Sequence, residues 1–112
     1  EVMSNRTCAQ NGVWLRNLYT DLGFNFSKPT TIYQDNQSAI AVCVSDAHHK
    51  RSRHFRIACC YLTELYERGI FSFVWIQSGE MVADMFTKAL KKDLHVKHTR
   101  TLTNSDFSVI RD

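Results

Sequence analysis

The segment Tyr33-Gln34-Asp35-Asn36-Gln37-Ser38-Ala39-Ile40 decides how this chain folds. The β-branched and aromatic run from Thr30 to Gln34 predicts a strand. Residues Gln37 to Val44 predict a short helix that buries Ala39, Ile40 and Cys43. Asp35 therefore falls at the carboxyl end of a strand, where open α/β sheets carry their working groups. A second acid, Asp84, stands in Val82-Ala83-Asp84-Met85-Phe86-Thr87-Lys88, after another strand-like run. Two carboxylates presented in this way can share metal ions. Between them lies His48-His49-Lys50-Arg51-Ser52-Arg53-His54-Phe55-Arg56, a concentration of positive charge that points toward phosphodiester chemistry.

Working outward, helical spacing at Cys8, Gly12, Leu15, Tyr19 and Leu22 predicts a helix from Glu1 to Leu22. Trp14 and Leu18 widen its apolar stripe, Gly23 stops it, and Gly12 offers a point of close packing. Ser27-Lys28-Pro29 reads as a connection. The basic stretch leads into a helix through Glu67, with Phe55, Cys59, Leu62 and Tyr66 on one face and Gly69 closing it. Ile70 to Ile76 predicts a second strand, in which Phe71, Phe73 and Trp75 alternate with Ser72, Val74 and Ile76, so that both faces are expected to be covered. Ser78 is placed to cap a last helix whose buried side is Val82, Met85, Phe86 and Ala89. The order is helix, strand, helix, helix, strand, helix, an α/β domain over residues 1–94. A C-terminal tail without a persuasive period occupies 95–112. Two strands make no comfortable independent sheet, so a missing segment or another chain is expected to supply sheet edges.

The 112 residues suit one domain with a modest core. The net charge of +3 is too small to identify a partner, so the distribution of charge is the stronger signal. Lys88, Lys91, Lys92, Lys97 and Arg100 form a second basic cluster. Cys8, Cys43, Cys59 and Cys60 lie mostly in apolar periodic segments and read as reduced, largely buried thiols rather than a secreted disulfide framework. No run approaches transmembrane length, and the start lacks the zones of a signal peptide. The expectation is an intracellular protein, cytoplasmic or nuclear, without a membrane partner. The start at Glu1 hints at an excised piece.

Three motifs in order resemble the ribonuclease H domain of copia-type long-terminal-repeat retrotransposon polyproteins. They are Asp35-Asn36-Gln37-Ser38-Ala39-Ile40, His49-Lys50-Arg51-Ser52-Arg53-His54 and Ala83-Asp84-Met85-Phe86-Thr87-Lys88. Trp14-Leu15-Arg16 and Leu22-Gly23 are similar to that family's first long helix, and the resemblance covers most of Glu1 to Leu90. It implies a ribonuclease H-like fold, incomplete at its N-terminus. The family's preceding strand, which carries a further catalytic Asp, has no counterpart here. Departures are Cys60 where His is frequent, Thr63 where Arg is frequent, Met81 where Gln is common, and Ser45-Asp46 for a frequent Asn-Pro pair.

By this resemblance Glu1, Asp35 and Asp84 take the places of catalytic, metal-binding acids. The implied activity is Mg2+-dependent cleavage of the RNA strand of an RNA–DNA hybrid, with Mn2+ as a substitute ion. Carboxylate oxygens suit such hard cations, and a pair of ions can activate water and stabilise a leaving oxygen. The missing Asp makes this chain's own activity conditional on a complementing segment, a partner chain or self-association. Arg51, Arg53 and Lys88 are assigned to phosphate-backbone attraction, since a hybrid nuclease need not read sequence. His49 and His54 are candidate proton shuttles, although such histidines more often add polar surface. Zinc held by His49 or His54 with Cys59 or Cys60 is a weaker reading, because the spacing matches no standard finger. A non-enzyme alternative also stands: a domesticated nucleic-acid-binding or protein-interaction module that uses open sheet edges.

Overall fold

The computed structural model describes residues 2–44 and 53–103. The elements are α1 (Val2–Asp21), β1 (Thr30–Gln34), α2 (Gln37–Val44), α3 (Arg53–Glu67), β2 (Phe71–Trp75), two 3-10 turns (Ser78–Glu80 and Val82–Phe86) and α4 (Lys92–Leu102). The chain divides into two compact units, Glu1–Trp75 and Ile76–Asp112. The first is a mixed α/β unit with an open sheet. Its strands β1 and β2 run parallel, with Thr30 opposite Phe71 and Gln34 opposite Trp75. Parallel neighbours require a long crossover, and α2 and α3 lie within it.

Both glycine stops form as the sequence predicts. Gly23 (φ +95°) and Gly69 (φ +69°) adopt the left-handed conformation that side-chain-bearing residues avoid. Each closes its helix with paired hydrogen bonds: Gly23 N to Thr20 O with Phe24 N to Tyr19 O, and Gly69 N to Tyr66 O with Ile70 N to Leu65 O. The second turn delivers the chain straight into β2, and the Thr30 amide donates to Ile70 O at 3.0 Å to start the strand pairing.

The core of the first unit is small. Val2, Ala9, Ile32, Ala39, Cys43, Ala58, Cys59, Leu62, Leu65 and Phe71 are buried together. Complete burial of Phe71 contributes about 1.5–3 kcal/mol, and Gly12 makes it possible. A Cβ on Gly12 would lie 2.8 Å from Phe71 Cζ, so α1 meets the sheet where it has no side chain.

Three expectations are corrected. The buried stripe of α1 is Val2, Asn5 and Ala9. Cys8, Trp14, Leu15, Leu18, Tyr19 and Leu22 are exposed. Hydrophobic spacing found the helix but chose the wrong face, because the sheet-facing side uses small and polar residues for close approach. Strand β2 is buried at Phe71 but opens to solvent at Val74 and Trp75, so its two faces are not both covered. The helix expected after Ser78 is replaced by two 3-10 turns with no buried residue, and Phe86 is 72% exposed. The regular helix of this region is instead α4, which begins at Lys92 and runs into the 95–112 stretch expected to be irregular.

Candidate active site

Asp35 directly follows β1 and is half-buried. Its neighbour Asn36 caps α2: Asn36 Oδ1 accepts the Ala39 amide at 3.1 Å, and Asn36 O accepts the Ile40 amide at 3.2 Å. The acid is thereby relieved of capping. Among the described residues, its carboxylate makes no hydrogen bond or ion pair. The Asp35 backbone is fixed instead, since Trp75 Nε1 donates to Asp35 O at 3.0 Å and ties the ends of the two strands.

A buried polar chain holds this strand end to the helices. Gln34 Nε2 donates to Asn5 Oδ1 at 2.8 Å, and Gln34 Oε1 accepts the Asn36 amide at 3.2 Å. Asn5 Nδ2 in turn reaches Cys43 Sγ at 3.6 Å. Burial raises the Cys43 thiol pKa above its ordinary value; the Asn5 hydrogen bond opposes that rise and Cys59 adds to it. Thr63 Oγ1 donates to Cys43 O at 3.1 Å, so this chain of bonds links β1, α1, α2 and α3. Sequence reasoning did not nominate Asn5 or Gln34. Their signal was present as polar residues flanking the acid and lying on a helix, but only the packing identifies them as a pair. Buried polar groups need such partners, since an unmade bond is expensive.

Asp84 belongs to the second unit, in the 3-10 turn Val82–Phe86. Its backbone carbonyl accepts the amides of Thr87 and Lys88 at 3.1 and 2.9 Å. Its Oδ1 lies 3.2 Å from Lys88 Nζ, and the Asp84 side chain is 17% exposed. Lys88, nominated for phosphate attraction, is here the counter-ion of a nominated metal ligand. A bound cation would compete with that ammonium.

Arg53 and His54 open α3, and both are exposed, as is Arg56. Cationic side chains in a first turn add to the positive end of the helix dipole, an arrangement that an anion relieves. Arg53, Arg56, Ile57, Cys60, Tyr61 and Glu64 line a depression of about 570 Å³ on this helix. Glu1, His49 and Arg51 lie outside the described residues.

The described residues do not themselves assemble a Mg2+ site. No group of three or more His, Cys, Asp or Glu side chains is placed among them to hold a metal. Asp35 and Asp84 fall in separate units. The zinc alternative gains no such group either. No helix among the described residues is long and apolar enough to cross a membrane.

The chain is similar over most of its length to retrotransposon Pol polyproteins. It is 29% identical over 79 residues to each of the retrovirus-related Pol polyproteins from transposons RE1 and RE2 of Arabidopsis thaliana, covering 70% of this chain and 5% of each relative. It is 27% identical over 81 residues to that from transposon TNT 1-94 of Nicotiana tabacum, covering 72% of this chain and 6% of the relative. The chain thus spans about one-twentieth of these polyproteins. No protein-family model matches it. No solved structure matches it either.

Proposed function

We propose that this chain is part of a ribonuclease H-like domain of a copia-type retrotransposon polyprotein, and that the parent cleaves RNA in RNA–DNA hybrids. Asp35 carries the reading. Its carboxylate stands beyond a parallel strand, unpartnered among the described residues, while Asn36 performs the structural task that an acid there would otherwise serve. The similarity to Pol polyproteins supports the same assignment. In this proposal Glu1, Asp35 and Asp84 are ligands for Mg2+ or Mn2+, and Arg51 and Arg53 attract the phosphate backbone. The metal supplies charge neutralisation when bound; the chain supplies acid positions and basic surface. The test is incubation with a labelled hybrid and Mg2+ or Mn2+, beside Asp35→Asn and Asp84→Asn. RNA-strand cleavage lost in both variants would show that the remaining carboxylates, with those of associated copies, build a nuclease centre. A folded wild-type chain that leaves the hybrid intact rejects autonomous activity.

A second reading, binding without cleavage, is favoured by the ion pair between Asp84 and Lys88. It expects salt-sensitive association with hybrid or duplex and no dependence on added metal.

A further inference from the structure

We infer that the pocket between the last turns of α1 and residues 24–26 accepts a single unpaired nucleobase. This inference goes beyond the hybrid-cleavage proposal and uses none of its acids. The pocket has a volume of about 390 Å³, within the range of about 300–1,000 Å³ typical of small-molecule sites. Its apolar walls are Val13, Phe24, Phe26 and Ile70, and its polar groups include Arg16, Asn17 and Asn25.

The aromatic rings are exposed yet held in place. Phe24 is 58% exposed and Phe26 is 43% exposed. Tyr19 meets Phe24 nearly edge-on at 5.5 Å between centroids, and Phe26 likewise at 6.4 Å. The Arg16 guanidinium lies 4.5 Å from the Phe26 ring centroid. It is itself fixed by Nη1, which donates to Thr30 Oγ1 at 2.6 Å and to Lys28 O at 3.4 Å. The rings are therefore ordered by folding, so little further ordering cost falls on a stacked ligand.

The polar groups select the ligand class. The side-chain amides of Asn17 and Asn25 line the pocket and are exposed to solvent, so a ligand reaches them without breaking a protein hydrogen bond. Each offers a carbonyl acceptor and an NH2 donor, the pairing that the edge of a nucleobase presents. No carboxylate lines the pocket, and Arg16 is the charged residue of its lining, which suits a base carrying phosphate. A contact that merely anchored the loop would account for Tyr19 against Phe24 and Phe26. It would not require Phe24, Phe26 and the Arg16 guanidinium to border one pocket that no carboxylate lines.

The test uses the full chain and fluorescence anisotropy with a labelled single-stranded oligo-dT, beside Phe24→Leu and Asn25→Ala, whose folding is checked by circular dichroism. Phe24→Leu is expected to weaken single-strand binding by about tenfold, the scale of one lost base–aromatic stack, and the Asn25 variant is expected to weaken it as well. Binding to a blunt duplex, whose bases are already paired, is expected to be unchanged. Competition by AMP assigns the source: displacement supports a free nucleotide, and resistance to it supports a base within a strand. No binding by wild type, equal binding by wild type and both variants, or equal weakening for single strand and duplex would overturn the inference. Asp35 and Asp84 are intact in both variants, so loss of hybrid cleavage in their own variants is read separately.

Discussion

Gln34 and Asn5 are joined by a buried hydrogen bond of 2.8 Å that fastens α1 to the last residue of β1, one position before Asp35. Truncating either side chain leaves the other amide buried without this partner. Asn5→Ala is expected to cost about 1–3 kcal/mol, read as a lower urea midpoint. Gln34→Ala should lose a similar amount, and the double variant less than the sum. Strict additivity in that cycle would show that the two side chains do not act as a pair.

Asn36 and Asp35 are separable by mutation. Removing the cap with Asn36→Ala should cost about 0.5–2 kcal/mol of stability. Asp35→Asn should leave the thermal midpoint close to wild type, because its carboxylate has no partner among the described residues. A larger loss from Asp35→Asn than from Asn36→Ala would make the acid structural.

Gly12 lies against Phe71, which is 2% exposed and has little room to retreat. Alanine improves helix propensity by about 1 kcal/mol, while overpacking a core costs about 1–3 kcal/mol. The ring contact decides the sign, and Gly12→Ala is expected to be less stable than wild type by chemical denaturation. Phe71→Leu shortens the opposing side chain, so adding it to Gly12→Ala should cost less than it does in the wild-type background.

Glu80 and Lys97 form an ion pair in the second unit. The hydrogen bond from Lys97 and its charge hold the Glu80 carboxyl below its ordinary value. A carboxyl lowered on folding stabilises above its unfolded value, and the contribution disappears as pH falls through the lowered one. NMR titration of Glu80 should therefore show a lower midpoint in wild type than in Lys97→Met. The difference should shrink in high salt, because the pair is exposed. Identical midpoints at low salt would contradict the pairing.

The thiols should divide by position. Cys8 and Cys60 are exposed, against the expectation of largely buried thiols, whereas Cys43 and Cys59 are buried. Iodoacetamide is expected to label the first pair well before the second, as mapped by peptide mass spectrometry, since the thiolate is the reactive form and must be reachable. The raised Cys43 pKa gives a stability contribution that is complete below the ordinary thiol value. It is lost as pH rises through the raised value. Early labelling of Cys43 would place it outside the core.

The sequence by itself determined the order of α1, β1, α2, α3 and β2, because hydrophobic period, β-branched runs and the two glycine stops are local signals. It also placed Asp35 at the strand end, since a strand and the following helix leave one junction between them. Which face of α1 turns inward was a tertiary decision. The apolar Trp14, Leu15 and Leu18 stay exposed, while Asn5, Ala9 and Gly12 allow a close approach to the sheet. The Gln34–Asn5 bond was decided there as well, whereas the Asn36 cap and the Asp84–Lys88 pair are contacts three and four residues apart that local spacing carries. The long-range bond depends on which polar groups packing leaves within hydrogen-bonding distance, a quantity that no local period encodes.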